Sequence, residues 1–171
     1  MPKIIENLPQ RLLEETRRQI EESGYGSLNI RAVAKNCGVG IGTVYNYYRS
    51  KDELVAAVLL NDWTACINTI NDCSEAAEAA EPVLRAVHEN LSLFIHRQRA
   101  IFHTRETAAA FSGSFGHYHA LLRTQIAQPL RRFCRDGFMA EFVAESMLTW
   151  TVAGISFEDI YELVGRLFDD K

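Results

Sequence analysis

Three polar side chains, Thr43, Asn46 and Tyr47, are spaced so that a helix would carry them on one face. With 100° of turn per residue, Val44 and Tyr48 fall on the opposite face, which suits a hydrophobic core. An asparagine amide can make two hydrogen bonds to an adenine edge, a threonine can contact a thymine methyl group, and hydroxyl groups bond phosphate oxygens. The chemistry indicated by this face is non-covalent binding within a nucleic-acid groove.

The turn before this helix contains Gly40, Ile41 and Gly42. Glycines allow a backbone to approach a ligand closely, so these residues belong to the predicted binding surface. Ile41 has two interpretations, because its side chain could contact a thymine methyl group or could pack inward.

A short helix over residues 30–37 is predicted ahead of the turn. Asn29 suits its N-cap, because the side chain can accept a hydrogen bond from a backbone N–H near the helix start. Gly38 is the residue type that best adopts the left-handed conformation after a helix end. Arg31 would point outward. Together with the helix over residues 41–48, this segment has the outline of a DNA-reading unit.

Hydrophobic residues recur at helical spacing through the rest of the chain, and its four prolines and ten glycines leave long uninterrupted stretches. Ser50 and Glu53 predict a capping box at the start of a long helix. Pro129 predicts a kink near Ala127. We expect an all-α fold of about nine helices, over residues 8–23, 30–37, 41–48, 51–71, 81–97, 99–111, 117–135, 140–153 and 156–168.

The chain has 171 residues, of which 47% are hydrophobic and 23% charged, and this composition favours a folded chain over a disordered one. The net charge of −4 hides an asymmetry. Residues 29–51 carry four basic residues and no acidic ones, whereas residues 55–171 carry 10 basic and 15 acidic residues. A basic segment fits a nucleic-acid partner, although four cations also suit an ordinary solvated surface.

The cysteines and the apolar runs predict a cytoplasmic protein without membrane spans. Cys37, Cys66, Cys73 and Cys134 lie far apart with no C-x-x-C pair, and no charged and apolar leader begins the chain. No apolar run is long enough to cross a bilayer.

The sequence contains no motif for catalysis or metal binding. Its five histidines form no H-x3-H or H-E-x-x-H pattern, and it has no nucleophile motif and no phosphate-binding glycine loop. We therefore expect no enzyme activity, no metal site and no cofactor.

Aromatic and polar residues on several predicted helices could line a pocket for a small molecule. Arg105 could hold a carboxylate ligand, pair with Glu106 or face water. Each of the candidates could instead belong to the core. The candidate pocket residues are Trp63, Phe94, Phe102, His103, Arg105, Phe111, Tyr118 and Trp150.

The last two predicted helices, within residues 140–168, have more apolar residues than a single buried stripe requires. This surplus indicates burial on two sides, against the domain and against a second subunit. A larger core within one subunit would explain it as well.

The run LNIRAVAKNCGVGIGTVYNYYRSKDELVAAVL closely resembles the DNA-binding segment of the tetracycline-repressor (TetR) family of bacterial regulators. The family pattern G-V-x-x-G-T-[LV]-Y-x-Y-[FY]-x-[ST]-K-[DE]-[DE]-L is matched from Gly38 to Leu54. The resemblance implies a helix-turn-helix DNA-binding domain over residues 1–52 and a helical ligand-binding and dimerisation domain over residues 53–171. It also implies a homodimer that binds a pseudo-palindromic operator, usually as a repressor released by a small molecule.

The resemblance also assigns roles to individual residues. Thr43 and Tyr47 would bind phosphates, Asn46 would read a base edge, and Tyr45 would touch a phosphate beside its packing. Lys51 would meet a phosphate at the start of the following helix. The predicted DNA-binding residues are Asn29, Arg31, Gly40, Ile41, Gly42, Thr43, Tyr45, Asn46, Tyr47 and Lys51.

The sequence departs from the family at Gly40 and Ile41, where many members have a small polar residue and a lysine or another polar residue. Ile41 removes a cation that could bind phosphate. This departure and the acidic remainder of the chain support a competing hypothesis, a small-molecule binding helical bundle whose helix-turn-helix no longer reads DNA specifically.

Overall fold

The computed structural model describes the backbone of residues 6–102 and 115–168 and the side chains of residues 6–99 and 119–168. In these ranges the chain forms helices and connecting turns and no strand, which confirms the all-α prediction. The helices are α1 Leu8–Ser27, α2 Ile30–Asn36, α3 Ile41–Tyr47, α4 Lys51–Ala76, α5 Ala80–Phe102, α6 Phe115–Leu130, α7 Gly137–Val152 and α8 Phe157–Val164, followed by a 3-10 turn, Gly165–Phe168.

Helix α1 is amphipathic, and its end is interrupted at Gly24. That residue has φ 77° and ψ 164°, a conformation outside the helical region and inside the one that favours glycine. The sequence predicted that this helix ends at residue 23, whereas in the structure Gly24 makes a kink and the helix resumes and ends at Ser27. The inward stripe consists of Leu8, Leu12, Leu13, Thr16 and Ile20.

Helices α1 to α3 and the first part of α4 share a small hydrophobic core. Leu12 of α1, Val33 of α2, Val44 of α3 and Val55 of α4 are all buried. Hydrophobic burial of about 25 cal/mol per Å² is the main stabilising contribution available to so small a core, because its helices α2 and α3 are too short to persist alone.

Helix α4 runs to Ala76, beyond the predicted end near residue 71. Tertiary hydrogen bonds hold its last turn. The Ser74 hydroxyl donates to the Pro129 carbonyl at 2.7 Å, and the Arg132 guanidinium donates to the carbonyl of Ser74 at 2.8 Å. The last carbonyls of a helix lack helical partners, so these contacts stabilise the end of α4. The hydrophobic periodicity of the sequence is weak there and does not predict it.

Helix α5 corrects a predicted helix boundary. It continues through Gln98 to Phe102, whereas the sequence indicated one helix ending at residue 97 and another beginning at residue 99. The Gln98 side chain is buried at 2% exposure and donates from Nε2 to Asp62 Oδ2 at 3.0 Å. Gln98, whose polar side chain suggested a connection between two helices, is thus an interior residue of one helix. The rest of the helix predicted over residues 99–111 lies outside the described residues.

The kink predicted near Ala127 is replaced by a helix end. Helix α6 stops at Leu130, one residue after Pro129, whereas the prediction continued it to residue 135. Proline has no N–H to donate, and its ring crowds the preceding turn. Turns then lead to Asp136, whose carboxylate caps α7 by accepting from the Met139 N–H at 2.8 Å.

Helices α7 and α8 are separated by Gly154, which has φ 80°, and the Ser156 hydroxyl caps α8. Helix α7 packs on α6 and α8 around Ala140, Val143 and Met147, each fully buried. Helix α8 is also attached to α5, since the Arg85 guanidinium lies 4.1 Å from the centroid of the Phe157 ring.

The described residues fall into two compact units. The first comprises the chain up to Asp62 together with the end of α5 from Gln98, and the second comprises Trp63–Arg97 and the chain from α6 onward. The division lies inside α4, later than the predicted boundary after residue 52.

Candidate nucleic-acid interface

Helix α2 and the turn that follows it are fixed by their end residues. The Asn29 side chain accepts from the Arg31 N–H at 2.9 Å, which confirms the predicted N-cap. Gly38 has φ 73°, as expected for the residue after the helix end. In that conformation the Val39 N–H donates to the Ala34 carbonyl at 2.9 Å, and the chain reverses into α3.

Helix α3 is attached to the core through one side. Val44 is 1% exposed, and Tyr48 is half-buried against the same core. Burial raises the pKa of the Tyr48 phenol above its ordinary value, so this hydroxyl stays protonated at neutral pH. The rest of the helix therefore has a fixed orientation.

The opposite side of α3 is open to a partner. Asn46 is exposed, and Tyr45 and Tyr47 keep nearly half of their surface exposed. Thr43, predicted on the same side, is half-buried. The structure leaves the Asn46 amide exposed on α3, with the phenol groups of Tyr45 and Tyr47 also exposed about 100° to either side of it, so hydrogen bonds to base edges and phosphates are available to all three.

Ile41 is 38% exposed, so of its two interpretations inward packing does not hold. Gly40 and Gly42 beside it are exposed as well, and no atom lies within 4 Å of a Cβ built at either of them. The turn therefore presents backbone and one apolar side chain. Such a surface can contact a thymine methyl group but provides no cation for a phosphate.

The start of α4 has the predicted cap in a modified form. The Ser50 hydroxyl accepts from the Glu53 N–H at 3.1 Å, while the Glu53 carboxylate accepts from the Arg49 N–H at 2.7 Å, one residue before the usual position. Lys51 is at this helix start, and its ammonium group donates to the Gly26 carbonyl at 3.4 Å.

Glu15 joins α1 to α2. Its carboxylate accepts from Arg18 at 2.7 Å, from Gln19 at 2.8 Å and from Asn36 at 2.7 Å. These hydrogen bonds, that from Arg18 above all, lower the pKa of Glu15 to about 2 against the opposing effect of burial. Beyond this contact, Arg31 and Lys35 remain exposed on α2.

Two contributors to the interface region were missed by the sequence reasoning. Tyr25 lies between the predicted helices over residues 8–23 and 30–37 and was given no role, yet its hydroxyl donates to the Asp52 carboxylate and its ring lies 4.4 Å from the Lys51 ammonium. Arg17 was also given no role, yet it forms an ion pair with Asp62. Neither contact has a sequence signal, because both join residues far apart in the chain.

The predicted pocket residues are placed in different surroundings. Trp63 is buried, donates from Nε1 to Gln125 Oε1 at 2.6 Å, and meets the Phe94 ring edge-on at 5.3 Å. This pair belongs to the core of the second unit, whereas Trp150 is exposed on α7. The side chains of Phe102, His103, Arg105, Phe111 and Tyr118 lie outside those that the structure describes.

An apolar groove of about 510 Å³ lies between α7 and α8. Trp150 and Leu163 line it and are 52% and 67% exposed, and further apolar side chains, among them Phe138 and Val152, are exposed on α7. The groove residues are Phe142, Ser146, Trp150, Ile155, Asp159, Ile160, Leu163, Val164 and Leu167. The surplus of apolar residues noted in the sequence is thus on the surface and not in a larger core.

Side chains that could bind a metal are dispersed in the part of the chain that the structure describes. No three His, Cys, Asp or Glu residues there form a group that could hold an ion. His88 instead contacts the Ile155 carbonyl oxygen through Nε2 at 3.0 Å.

Among the described residues no helix is both long and apolar enough to cross a membrane.

Residues 12–58, which form this interface region, match the sequence profile of bacterial regulatory proteins of the tetR family. This match places residues 12–58 in the tetR family. It is 35% identical over 52 residues to the HTH-type transcriptional regulator UidR of Escherichia coli (strain K12), a match that covers 30% of this chain and 26% of UidR. The chain thus aligns with about a quarter of the length of this relative.

Solved structures share the fold over most of the chain. SCO7518 of Streptomyces coelicolor A3(2) superposes with a TM-score of 0.70 at 16% identity, over 95% of this chain and 98% of that one. The transcriptional regulator FadR of Bacillus subtilis, solved in complex with stearoyl-CoA, superposes with a TM-score of 0.53 at 15% identity, over 95% of this chain and 98% of FadR. At such identities the likeness concerns the fold alone.

Proposed function

We propose that this protein is a sequence-specific DNA-binding transcriptional regulator of the TetR family that acts as a repressor and is released by a small-molecule ligand. The observation that carries the proposal is the division of α3 into a buried side at Val44 and an exposed side with Asn46 and Tyr47. A helix held in this way can enter a major groove with its amide and phenol groups towards the DNA.

The local charge agrees with this function. Residues 29–51 contain only basic charged side chains, and Arg31 and Lys35 are exposed on α2 next to the turn. The positive charge would attract phosphates although the whole chain has a net charge of −4.

A homodimer through α7 and α8 would supply the second recognition helix for a pseudo-palindromic operator. The exposed groove at Trp150 and Leu163 provides apolar area of the kind that a subunit interface covers. Phe142 and Leu167 extend the same surface. We also propose a cytoplasmic location, because the proposed DNA partner is found there.

The ligand is proposed to bind in the second unit, and an acyl chain is one candidate chemistry because FadR, which has the same fold, was solved with stearoyl-CoA. Of the predicted pocket residues, Trp63 and Phe94 are packed together in that unit. An aromatic pair of this kind can line an apolar cavity that opens for a ligand.

The exposed Ile41 favours one alternative function, a small-molecule binding bundle that no longer reads DNA specifically. With an apolar side chain in the turn, the surface has one phosphate-binding cation fewer than many family members have at this position. Under this alternative the protein would bind a fatty or aromatic ligand and would have the same affinity for every DNA duplex.

Fluorescence anisotropy with labelled duplexes, at stated salt concentrations, tests the proposal. One duplex is the DNA upstream of the protein's own gene and the other is a random sequence of equal length. The wild type should prefer the upstream DNA, and Asn46→Ala should reduce that preference about tenfold, within the range of an amide that reads one base.

Asn68→Ala is the matched control, because Asn68 is an exposed asparagine on α4 away from the recognition helix. It should leave the preference unchanged. Equal affinity of the wild type for both duplexes would contradict specific reading and support the alternative.

A further inference from the structure

The kink at Gly24 places Tyr25 between the hydrophobic core and the start of α4. The Tyr25 ring is half-buried and packs against the core of the first unit. The Lys51 ammonium lies over this ring, 4.4 Å from its centroid. A cation at that distance from an aromatic face is attracted by the negative charge of the ring face.

Two further hydrogen bonds complete the arrangement. The Lys51 ammonium donates to the Gly26 carbonyl at 3.4 Å, and the Tyr25 hydroxyl donates to the carboxylate of Asp52, the residue that follows Lys51. The ring is thereby attached to α4 at one end and to the core along its body. We call Tyr25, Lys51 and Asp52 the helix-start clamp.

The clamp restricts a side chain that is otherwise flexible. Lysine has four rotatable side-chain bonds, and ordering it costs conformational entropy. Here the ring and the Gly26 carbonyl hold Lys51 in one place before any partner binds. An ammonium group has three N–H donors, so a phosphate oxygen can still be bound when one donor is engaged.

We propose that Tyr25 is a positioning residue for DNA binding, which holds the Lys51 ammonium ready for a backbone phosphate without contacting the DNA itself. This proposal rests on the proposed function, because Lys51 can bind a backbone phosphate only if the protein binds DNA. The clamp geometry can be tested without DNA.

The first experiment measures the ring current of Tyr25 at Lys51 by nuclear magnetic resonance of the DNA-free protein. In the wild type the Lys51 Hε protons should be shifted upfield relative to those of Lys35, an exposed lysine on α2. Tyr25→Phe keeps the ring and should keep the shift, whereas Tyr25→Leu should abolish it. A wild-type Lys51 signal at the position of Lys35 overturns the proposal, even if Tyr25→Leu does not fold.

The second experiment is a double-mutant cycle in binding to a random duplex at several salt concentrations. Lys51→Ala should weaken binding about tenfold and reduce the slope of log K against log salt by about 0.9, the effect of one lost phosphate contact. Tyr25→Leu should weaken binding about threefold in the wild type, the size of an exposed cation–π contact. It should have no effect in the Lys51→Ala background.

Lys35→Ala provides the control cycle, because Lys35 lies on α2 and not at the start of α4, and the two substitutions should be additive. Additive effects of Tyr25→Leu and Lys51→Ala on duplex affinity would overturn the positioning role of Tyr25. The proposed DNA-binding function would remain supported by the affinity of the wild type. If the wild type bound no duplex at all, the proposed function itself would fail, and the upfield shift would then report a clamp with a purely structural role.

Discussion

Arg17 of α1 and Asp62 of α4 form an ion pair in which the carboxylate is only 6% exposed. Arg17 Nε donates to Asp62 Oδ1 at 3.0 Å, and the second carboxylate oxygen accepts from Gln98 of α5 at 3.0 Å. The Gln98 Oε1 atom is buried and has no hydrogen-bond partner among the described residues. Three helices of the first unit are therefore joined by one buried carboxylate.

Loss of this carboxylate charge should destabilise the first unit. Asp62→Ala removes the acceptor of the Gln98 amide and leaves the Arg17 guanidinium with its hydrogen bond to Asn61 Oδ1 at 3.1 Å. We expect a loss of about 2–3 kcal/mol, below that for a fully buried pair because Arg17 is 22% exposed. Urea denaturation monitored by circular dichroism measures it. Asp72→Ala, at an exposed position of the same helix, is the control and should cost far less.

A combined Arg17→Met and Asp62→Leu variant should recover part of that stability. Replacing both charges by apolar side chains removes the unpaired charge that the single substitution leaves behind. A double variant less stable than Asp62→Ala would show that the pair is intrinsically stabilising and not merely costly to break.

The stability of the first unit should fall in acid because of Glu15. Its pKa is about 2 in the folded protein, below the ordinary value of 4.5, so its contribution is fully present above pH 4.5 and is lost as the pH falls towards 2. Chemical denaturation at a series of pH values should give a shallower acid dependence for Glu15→Gln than for the wild type. Glu21→Gln, on the exposed side of α1, is the control and should keep the wild-type slope.

Ile41→Lys should strengthen binding to every duplex. The side chain is exposed at the start of the recognition helix, so a lysine there could reach a phosphate. The salt slope should become steeper by about 0.9 in anisotropy titrations with operator and random DNA alike. An unchanged slope would mean that residue 41 is directed away from the DNA backbone.

Leu163→Glu should disrupt the proposed dimer, because it places a charge in the apolar groove between α7 and α8. Sedimentation velocity should report a dimer for the wild type and a monomer for the variant. Leu60→Glu alters a leucine of similar exposure on α4 and serves as the control, since it is not among the groove residues. A wild-type monomer at micromolar concentration would contradict assembly through this surface.

Much of the candidate interface on α2 and α3 is determined by local sequence. Asn29 and Gly38 set the ends of α2 through a side-chain cap and a left-handed backbone, and both effects depend only on adjacent residues. The helical period then decides that Val44 points to the core while Asn46 and Tyr47 do not. These features were predictable because they need no information from distant parts of the chain.

Only the tertiary structure decided the features that join distant residues. Gln98 was expected to separate two helices, but its amide is buried on Asp62 and α5 continues through it. Tyr25 is separated from Lys51 by two whole helices, and no local pattern indicates that the ring lies under that ammonium group. A buried polar group can be recognised only with its partner, and a cation can be placed on a ring only by the fold that brings the two together.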